Sequence, residues 1–504
     1  MRRCAFLLRG MAAVCGLVAA GAAAADAGLK PCRLRGLEHE AWCGVVQRPL
    51  DPAQPQGRQI EVHYAVLPAL ARSKKPDPVF FFAGGPGQSA IDLAGPVAGL
   101  FGRFLNRRDL VLIDQRGTGR SAPLNCDDDD PGRPLAQALD PAAQVQALAR
   151  CREALQRKPH GDLRQYTTTI AMHDAEAVRA QLGAERINLI GASYGTRAVL
   201  EYQRLFPQRV RRAVLDGVAP PDMVLPVSFS TDNQAALEAL FNACEHEPAC
   251  AGRHAGLRER WARLLAAPPR EVTVVHPLTG RPERLTITRD LLLAMVRLPL
   301  YVPVLAAALP QAMADAAEGR FETLAALASG LQGPRKAMAL AEGMHFSVVC
   351  AEDAPRLDAA TDVPGTDFGS NFAELYRRVC AQWPRGTVAP AFYRVPTAGS
   401  ATLLLSGAVD PVTPPRHAER MRRALGSKAR HVVVPNAGHG AMAVGCMSDV
   451  VYRFVEAERD EEALQVDARC VDAVPRPPAA APLQTPPPAA SAAAVPPVAP
   501  GARR

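Results

Sequence analysis

Ile187-Asn188-Leu189-Ile190-Gly191-Ala192-Ser193-Tyr194-Gly195-Thr196-Arg197 is the stretch that decides how this chain folds. Four largely apolar residues ending at a glycine read as a buried strand, and the pattern from Arg197 to Phe206 is helical. Between them lies Gly-x-Ser-x-Gly, a turn that holds a serine in a strained backbone conformation between a strand and a helix. Its flanking residues must be small, because the turn brings backbone segments too close for a side chain. The helix that follows points its N-terminus at the serine and favours negative charge developing there. The five-residue pattern alone arises by chance; strand before and helix after select a nucleophile elbow over an ordinary turn. Ser193 is the candidate nucleophile.

Outward from the elbow, short runs rich in Val, Ile, Leu and Phe recur at Val79–Phe82, Leu110–Ile113, Ala213–Leu215, Thr402–Leu405 and His431–Val434. Each ends in a turn containing Gly or Asp, as buried parallel strands do. Ile60–Val66 alternates like a half-exposed antiparallel strand. Helical patterns such as Asp174–Leu182 separate several runs, so the fold class is α/β, a doubly wound and mostly parallel sheet. The order implies a core at 28–218 and 401–470, interrupted at 219–400 by a mostly helical cap. One stretch of that insertion, Glu271–Thr288, is rich in Val and Thr and reads as a hairpin. From 471 to 504 Pro and Ala dominate, and the expectation is a disordered tail.

A serine hydroxyl is a weak nucleophile until a histidine takes its proton, and that histidine needs a carboxylate to fix its tautomer. With an elbow serine the chain order is Ser, acid, His. Asp410 follows the run Thr402–Leu405, and His439 lies between glycines just past His431–Val434. His417 and His431 lack that setting. Asp216 also ends a strand and competes for the role, but Asp410 precedes His439 by one strand-helix unit. Ala83-Gly84-Gly85-Pro86-Gly87 follows the run Val79–Phe82, where backbone N–H groups can approach a substrate oxygen. The backbone N–H groups of Gly84 and Tyr194 are the expected oxyanion hole; an ordinary tight turn is the bland alternative for the glycine loop.

These segments, with Asp114-Gln115-Arg116-Gly117-Thr118-Gly119-Arg120-Ser121 and Gly191-Ala192-Ser193-Tyr194-Gly195-Thr196-Arg197, resemble the proline iminopeptidase and tripeptidyl aminopeptidase family of α/β-hydrolases. Proline iminopeptidases usually carry His where this chain has Ala83, and many have Trp where it has Tyr194. The departures are more similar to the secreted tripeptidyl aminopeptidase branch. The resemblance implies removal of residues from the N-termini of short peptides under a helical cap. Holding the substrate ammonium requires an anion. Met344-His345-Phe346-Ser347-Val348-Val349-Cys350-Ala351-Glu352-Asp353 resembles a cap motif of that branch and makes Glu352 and Asp353 the candidates, a solvated acidic pair being the alternative. An esterase or amidase with the same triad is the rival function. A catalytically silent binding protein is a third reading, opposed by the complete triad. An aspartate-nucleophile hydrolase is disfavoured because the elbow carries serine.

Composition agrees with a soluble globular protein: 504 residues, 48% hydrophobic and 21% charged. Of the formal +8 charge, Arg2, Arg3 and Arg9 fall in residues 1–27, which read as a cleaved export signal. Its apolar stretch Met11–Ala20 is too short to span a bilayer, so no stable membrane insertion is expected after cleavage. Elsewhere basic residues are interspersed with acidic ones and no nucleic-acid partner is expected. Ten cysteines follow the leader: Cys32, Cys43, Cys126, Cys151, Cys244, Cys250, Cys350, Cys380, Cys446 and Cys470. An even count in an exported chain suggests disulfides, and pairing of sequence neighbours is the simplest expectation. No Cys-x-x-Cys or His-Glu-x-x-His pattern supports a metal, and no cofactor is expected. The expected location is periplasmic or secreted.

Overall fold

The computed structural model describes residues 28–126, 134–138, 140–330, 339–396 and 399–480. The leader 1–27 and the tail from 481 onward lie outside the described residues. A nine-stranded sheet organises the molecule, in the order β1-β2-β3-β5-β4-β6-β7-β10-β11. The strands are β1 (Lys30–Cys32), β2 (Ala41–Pro49), β3 (Gln59–Leu67), β4 (Val79–Phe82), β5 (Leu110–Ile113), β6 (Ile187–Ala192), β7 (Val210–Asp216), β10 (Ala401–Gly407) and β11 (Ala429–Val434). From β5 to β11 every pairing is parallel; β1, β2 and β3 form an antiparallel edge joined to β5. A separate hairpin, β8 (Arg270–Val275) with β9 (Pro282–Ile287), forms where Val and Thr cluster.

Continuous apolar runs are required at the centre of the sheet because side chains alternate between two buried faces. Phe80, Phe82, Val111, Ile113, Leu189, Ala213, Leu215 and Leu404 enter one apolar core. Their neighbours Val79, Phe81, Leu110, Leu112, Ile190, Val214, Leu403 and Leu405 enter the other. Helices cover both faces, and each large side chain removed from water contributes about 1.5–3 kcal/mol. Between β7 and β10 the chain is mostly helical and gathers a third apolar cluster of its own around Trp261, Leu292, Met313 and Phe321.

Disulfides join Cys32–Cys43, Cys126–Cys151, Cys244–Cys250, Cys350–Cys380 and Cys446–Cys470, each a pair of sequence neighbours. One expectation needs correcting. The tail does not leave the fold at residue 471: Val471 is buried, the Val474 carbonyl accepts from the Asn436 side chain at 3.0 Å, and the Ala480 N–H donates to the Ala307 carbonyl at 2.9 Å. The Cys446–Cys470 bridge brings these Pro- and Ala-rich residues back onto the surface that the histidine loop starts from.

Candidate active site

Ser193 has φ 55° and ψ −123°, the left-handed strain expected of an elbow nucleophile, and the helix Tyr194–Leu205 starts at the next residue. The glycines around it are steric necessities. A Cβ at Gly195 would lie 2.1 Å from the Phe82 carbonyl oxygen, and one at Gly191 would lie 2.4 Å from that of Gly195. Ser193 is partly exposed, as a group that meets substrate must be.

Asp410 follows β10 and His439 follows β11, so the parallel register of the two strands delivers both to the same edge as the elbow. Asp410 Oδ2 and His439 Nδ1 are 2.8 Å apart. A carboxylate only accepts, so the imidazole donates from Nδ1 and leaves Nε2 to take a proton. Oδ1 accepts the N–H groups of Val412 and Thr413, both at 2.9 Å, and Oδ2 also accepts the Thr413 hydroxyl at 2.8 Å. Burial opposes the Asp410 charge, yet His439 and these donors outweigh it and hold the carboxyl below its usual range. The reciprocal balance acts on His439: burial lowers its pKa, but Asp410, with Asp216 beyond it, raises it above the ordinary value.

Asp216, the rival acid, has a different task. Its carboxylate oxygens accept the N–H groups of Ala441 and Met442, each at 3.0 Å, and its backbone carbonyl accepts the Ser193 N–H at 2.8 Å. It therefore ties the histidine loop to the elbow. At the next residue, a Cβ on Gly217 would stand 3.1 Å from His439 Cε1, so Ser193 and His439 flank residues 216 and 217. Burial pushes the Asp216 carboxyl up to about 6.

The glycine loop reaches the nucleophile: a Cβ at Gly84 would lie 3.2 Å from Ser193 Cβ. The Gly84 N–H donates to Gln88 Oε1 at 3.1 Å, so a substrate oxygen must displace that side chain to use this donor. Sequence reading did not find Gln88. The Tyr194 N–H stands at the first turn of the nucleophile helix. The Pro86 carbonyl contacts His345 Nδ1 at 3.2 Å, and the Gly87 carbonyl accepts the Ala341 N–H at 2.9 Å, so the cap helix Glu342–Glu352 braces the loop from above.

Glu352 and Asp353 are brought together inside the protein. Both are buried. Asp353 receives the Arg197 guanidinium at 3.0–3.2 Å and the Leu225 N–H at 3.2 Å. Glu352 accepts the Thr168 N–H at 2.7 Å and its hydroxyl at 3.0 Å, and burial pushes its carboxyl up to about 7. The Thr168 hydroxyl in turn meets the Tyr194 hydroxyl at 2.7 Å. These bonds fasten the cap to the nucleophile helix, and a substrate ammonium would have to share the same oxygens. Two further residues escaped the sequence reading. Thr413 could have been found, since Asp-x-x-Thr is a local capping pattern. Tyr301 could not: it comes from the cap, packs its ring edge-on against His439 at 5.4 Å, and accepts the His439 N–H on its carbonyl at 3.0 Å. Among the described residues no cluster of His, Cys, Asp and Glu is placed to hold a metal ion.

A strained serine after β6, an acid after β10 and a histidine after β11 on this sheet give the chain the α/β-hydrolase fold, and residues 77–242 match the model of the alpha/beta hydrolase fold. More narrowly, residues 365–466 match the model described as TAP-like protein. A tripeptidyl aminopeptidase of Streptomyces lividans is 30% identical over 45% of this chain and 45% of its own length. The chain thus matches under half the length of that relative. Serine protease Hip1 of Mycobacterium tuberculosis is 27% identical over 74% of this chain and 77% of its own. A proline iminopeptidase of Neisseria meningitidis is 30% identical over 29% of this chain and 34% of its own.

Proposed function

We propose that the protein is an exported serine aminopeptidase that releases tripeptidyl, prolyl or aminoacyl units from short peptides through an acyl-enzyme. Asp410 held 2.8 Å from His439 beside the Ser193 elbow is the observation that carries the reading. In the first half-reaction Ser193 Oγ attacks the scissile carbonyl while His439 Nε2 takes its proton. The carbonyl oxygen becomes an oxyanion facing the N–H groups of Gly84 and Tyr194. His439 then gives the proton to the departing amine, and water repeats the sequence against the ester. Peptide chemistry, rather than ester chemistry, is supported by the TAP-like match and by the relatives named tripeptidyl aminopeptidase and serine protease. Export is supported by the leader composition and by five disulfides, which persist in oxidising compartments. No described helix is long and apolar enough to cross a membrane.

Mass spectrometry of products from a mixture of peptides with free N-termini tests this directly. Release of N-terminal fragments that Ser193→Ala abolishes is expected. Turnover unchanged by N-terminal acetylation would sink the aminopeptidase reading, and faster cleavage of simple acyl esters than of any peptide would favour the esterase.

A further inference from the structure

Among the described residues, one cap cation without a counter-charge stands behind Tyr301, the tyrosine that packs on His439. Arg297 ends the helix Arg289–Arg297, where a basic residue suits the helix C-terminus. That preference does not account for its surroundings. The side chain is half-buried, its Cζ lies 4.8 Å over the Phe372 ring, and its Nε is buried with no hydrogen-bond partner. Among the described residues no carboxylate pairs with it, whereas the buried Arg108, Arg116, Arg197 and Arg212 are each matched by an acid. The Tyr301 hydroxyl meets the guanidinium but is neutral, and a half-buried cation without a counter-charge is stabilised when an anion arrives.

The position of Arg297 says which part of a substrate that anion belongs to. The guanidinium acts on the hydroxyls of Tyr301 and Tyr376, opposing the rise that burial imposes on both. Tyr301 stands edge-on against His439, and the Tyr376 hydroxyl meets His345 Nε2 at 2.8 Å. Because His439 hands its proton to the departing amine, the leaving fragment must lie against His439. Arg297 is therefore on the leaving-group side, one tyrosine further out. That is on the order of two residues of extended chain at about 3.3–3.6 Å each.

Resting on the peptidase reading, we propose that Arg297 binds a carboxylate of the departing fragment: the C-terminal carboxylate of a substrate whose leaving part is one or two residues long, or an acidic side chain at the same distance. Phe372 and Tyr301 hold the guanidinium before substrate arrives, so little ordering is left to be done on binding. Charge-assisted recognition of this kind selects short peptides ending just beyond the scissile bond. Recognition of the departing fragment then helps to set the register of cleavage.

The test compares kcat/KM for one tripeptidyl-alanine series: free C-terminal acid, C-terminal amide, and an amide in which the departing residue is Asp. The wild-type protein is expected to prefer the free acid over the Ala amide by about 10- to 100-fold. The Asp amide recovers much of that preference if a side-chain carboxylate also serves, and none if only the C-terminus fits. Arg297→Gln should bring the acid-to-amide ratio within about threefold of one, Arg297→Lys should retain part of it, and the distant Arg469→Gln should keep it. Each ratio is taken within one protein, so a general loss of activity cannot imitate the effect. If Arg297→Gln does not fold, inhibition of the wild-type protein by N-acetylalanine and by its amide reads the same preference. Equal rates for acid and amide, or a preference that survives Arg297→Gln, overturn this assignment alone. Absence of cleavage of every peptide overturns the peptidase reading and the assignment with it.

Discussion

Replacing Asp410 by Asn exchanges one oxygen for an NH2 group, and the structure dictates where that group must go. Oδ1 receives two backbone N–H groups, from Val412 and Thr413 at 2.9 Å, which have no second acceptor in the turn. The single oxygen of Asn must stay there. The NH2 group then takes the place of Oδ2, facing the Thr413 hydroxyl and His439 Nδ1. The hydroxyl can rotate to accept, but Nδ1 can accept only by giving up its proton. His439 is then protonated on Nε2 and cannot take the Ser193 proton. The imidazolium also loses its counter-charge. The expected loss is about 10³–10⁴-fold in kcat/KM, or roughly 4–5.5 kcal/mol of transition-state stabilisation, with little change in stability. Asp216→Asn is the informative partner. Its oxygens each receive a separate backbone N–H, so the NH2 group opposes a donor in either orientation. That substitution should cost about 1–3 kcal/mol of stability while leaving the tautomer intact, and kcat/KM should fall by less than about a hundredfold. Both are read with a tripeptidyl chromogenic amide at pH 8 and by urea denaturation. If Asp410→Asn keeps more than a tenth of wild-type kcat/KM while Asp216→Asn loses a thousandfold, the acid has been misassigned.

Other outcomes follow from the buried cluster beneath the elbow. Asp353→Ala strands Arg197 in the interior and should destabilise by about 3–5 kcal/mol, whereas the paired change Arg197→Met with Asp353→Leu should recover most of that; a denaturation midpoint for Asp353→Ala close to wild type would show that the tether is unimportant. Glu352 keeps its proton up to about 7 in the folded state and ionises near 4.5 when unfolded, so the folded state binds the extra proton between these values and stability falls as pH rises through that window. Glu352→Gln, permanently neutral, should therefore gain on the wild type by about 1–3 kcal/mol between pH 5 and pH 8, and a pH-independent difference in urea stability would contradict the assignment. Because His439 must be neutral to act and its pKa is raised, kcat/KM should fall on the acid side with a midpoint above 6.5, and Asp216→Asn should move that limb to lower pH. Removing the Cys350–Cys380 bridge, which closes a separation of 30 residues between two cap helices, should cost about 3.5 kcal/mol by loop entropy, measured as a lowered guanidinium midpoint.

The elbow, the parallel strands and the order Ser193, Asp410, His439 were legible in the sequence because they rest on local rules. A strand buried on both faces must be continuously apolar, and a turn as tight as Gly191–Gly195 requires glycine at both ends. The antiparallel edge was harder to read. Ala41–Pro49 mixes Trp42 with Gln47 and Arg48, so its apolar signal is diluted where one face meets solvent. The acidic pair Glu352 and Asp353 was visible as a pair, but nothing in the cap sequence reveals that Arg197, more than 150 residues earlier, rises into it. The same holds for Tyr301 against His439 and for Arg297 behind it.

By itself, then, the sequence determined which groups could perform the chemistry and on what scaffold, since backbone sterics and strand burial act between near neighbours. Tertiary structure decided what each charge does. It gave Asp410 to His439 and Asp216 to the loop amides, neutralised Asp353 with Arg197, and left Arg297 without an acid among the described residues. A charge takes its role from the few ångströms around it, where Coulomb and desolvation energies are largest, and only folding determines what stands there.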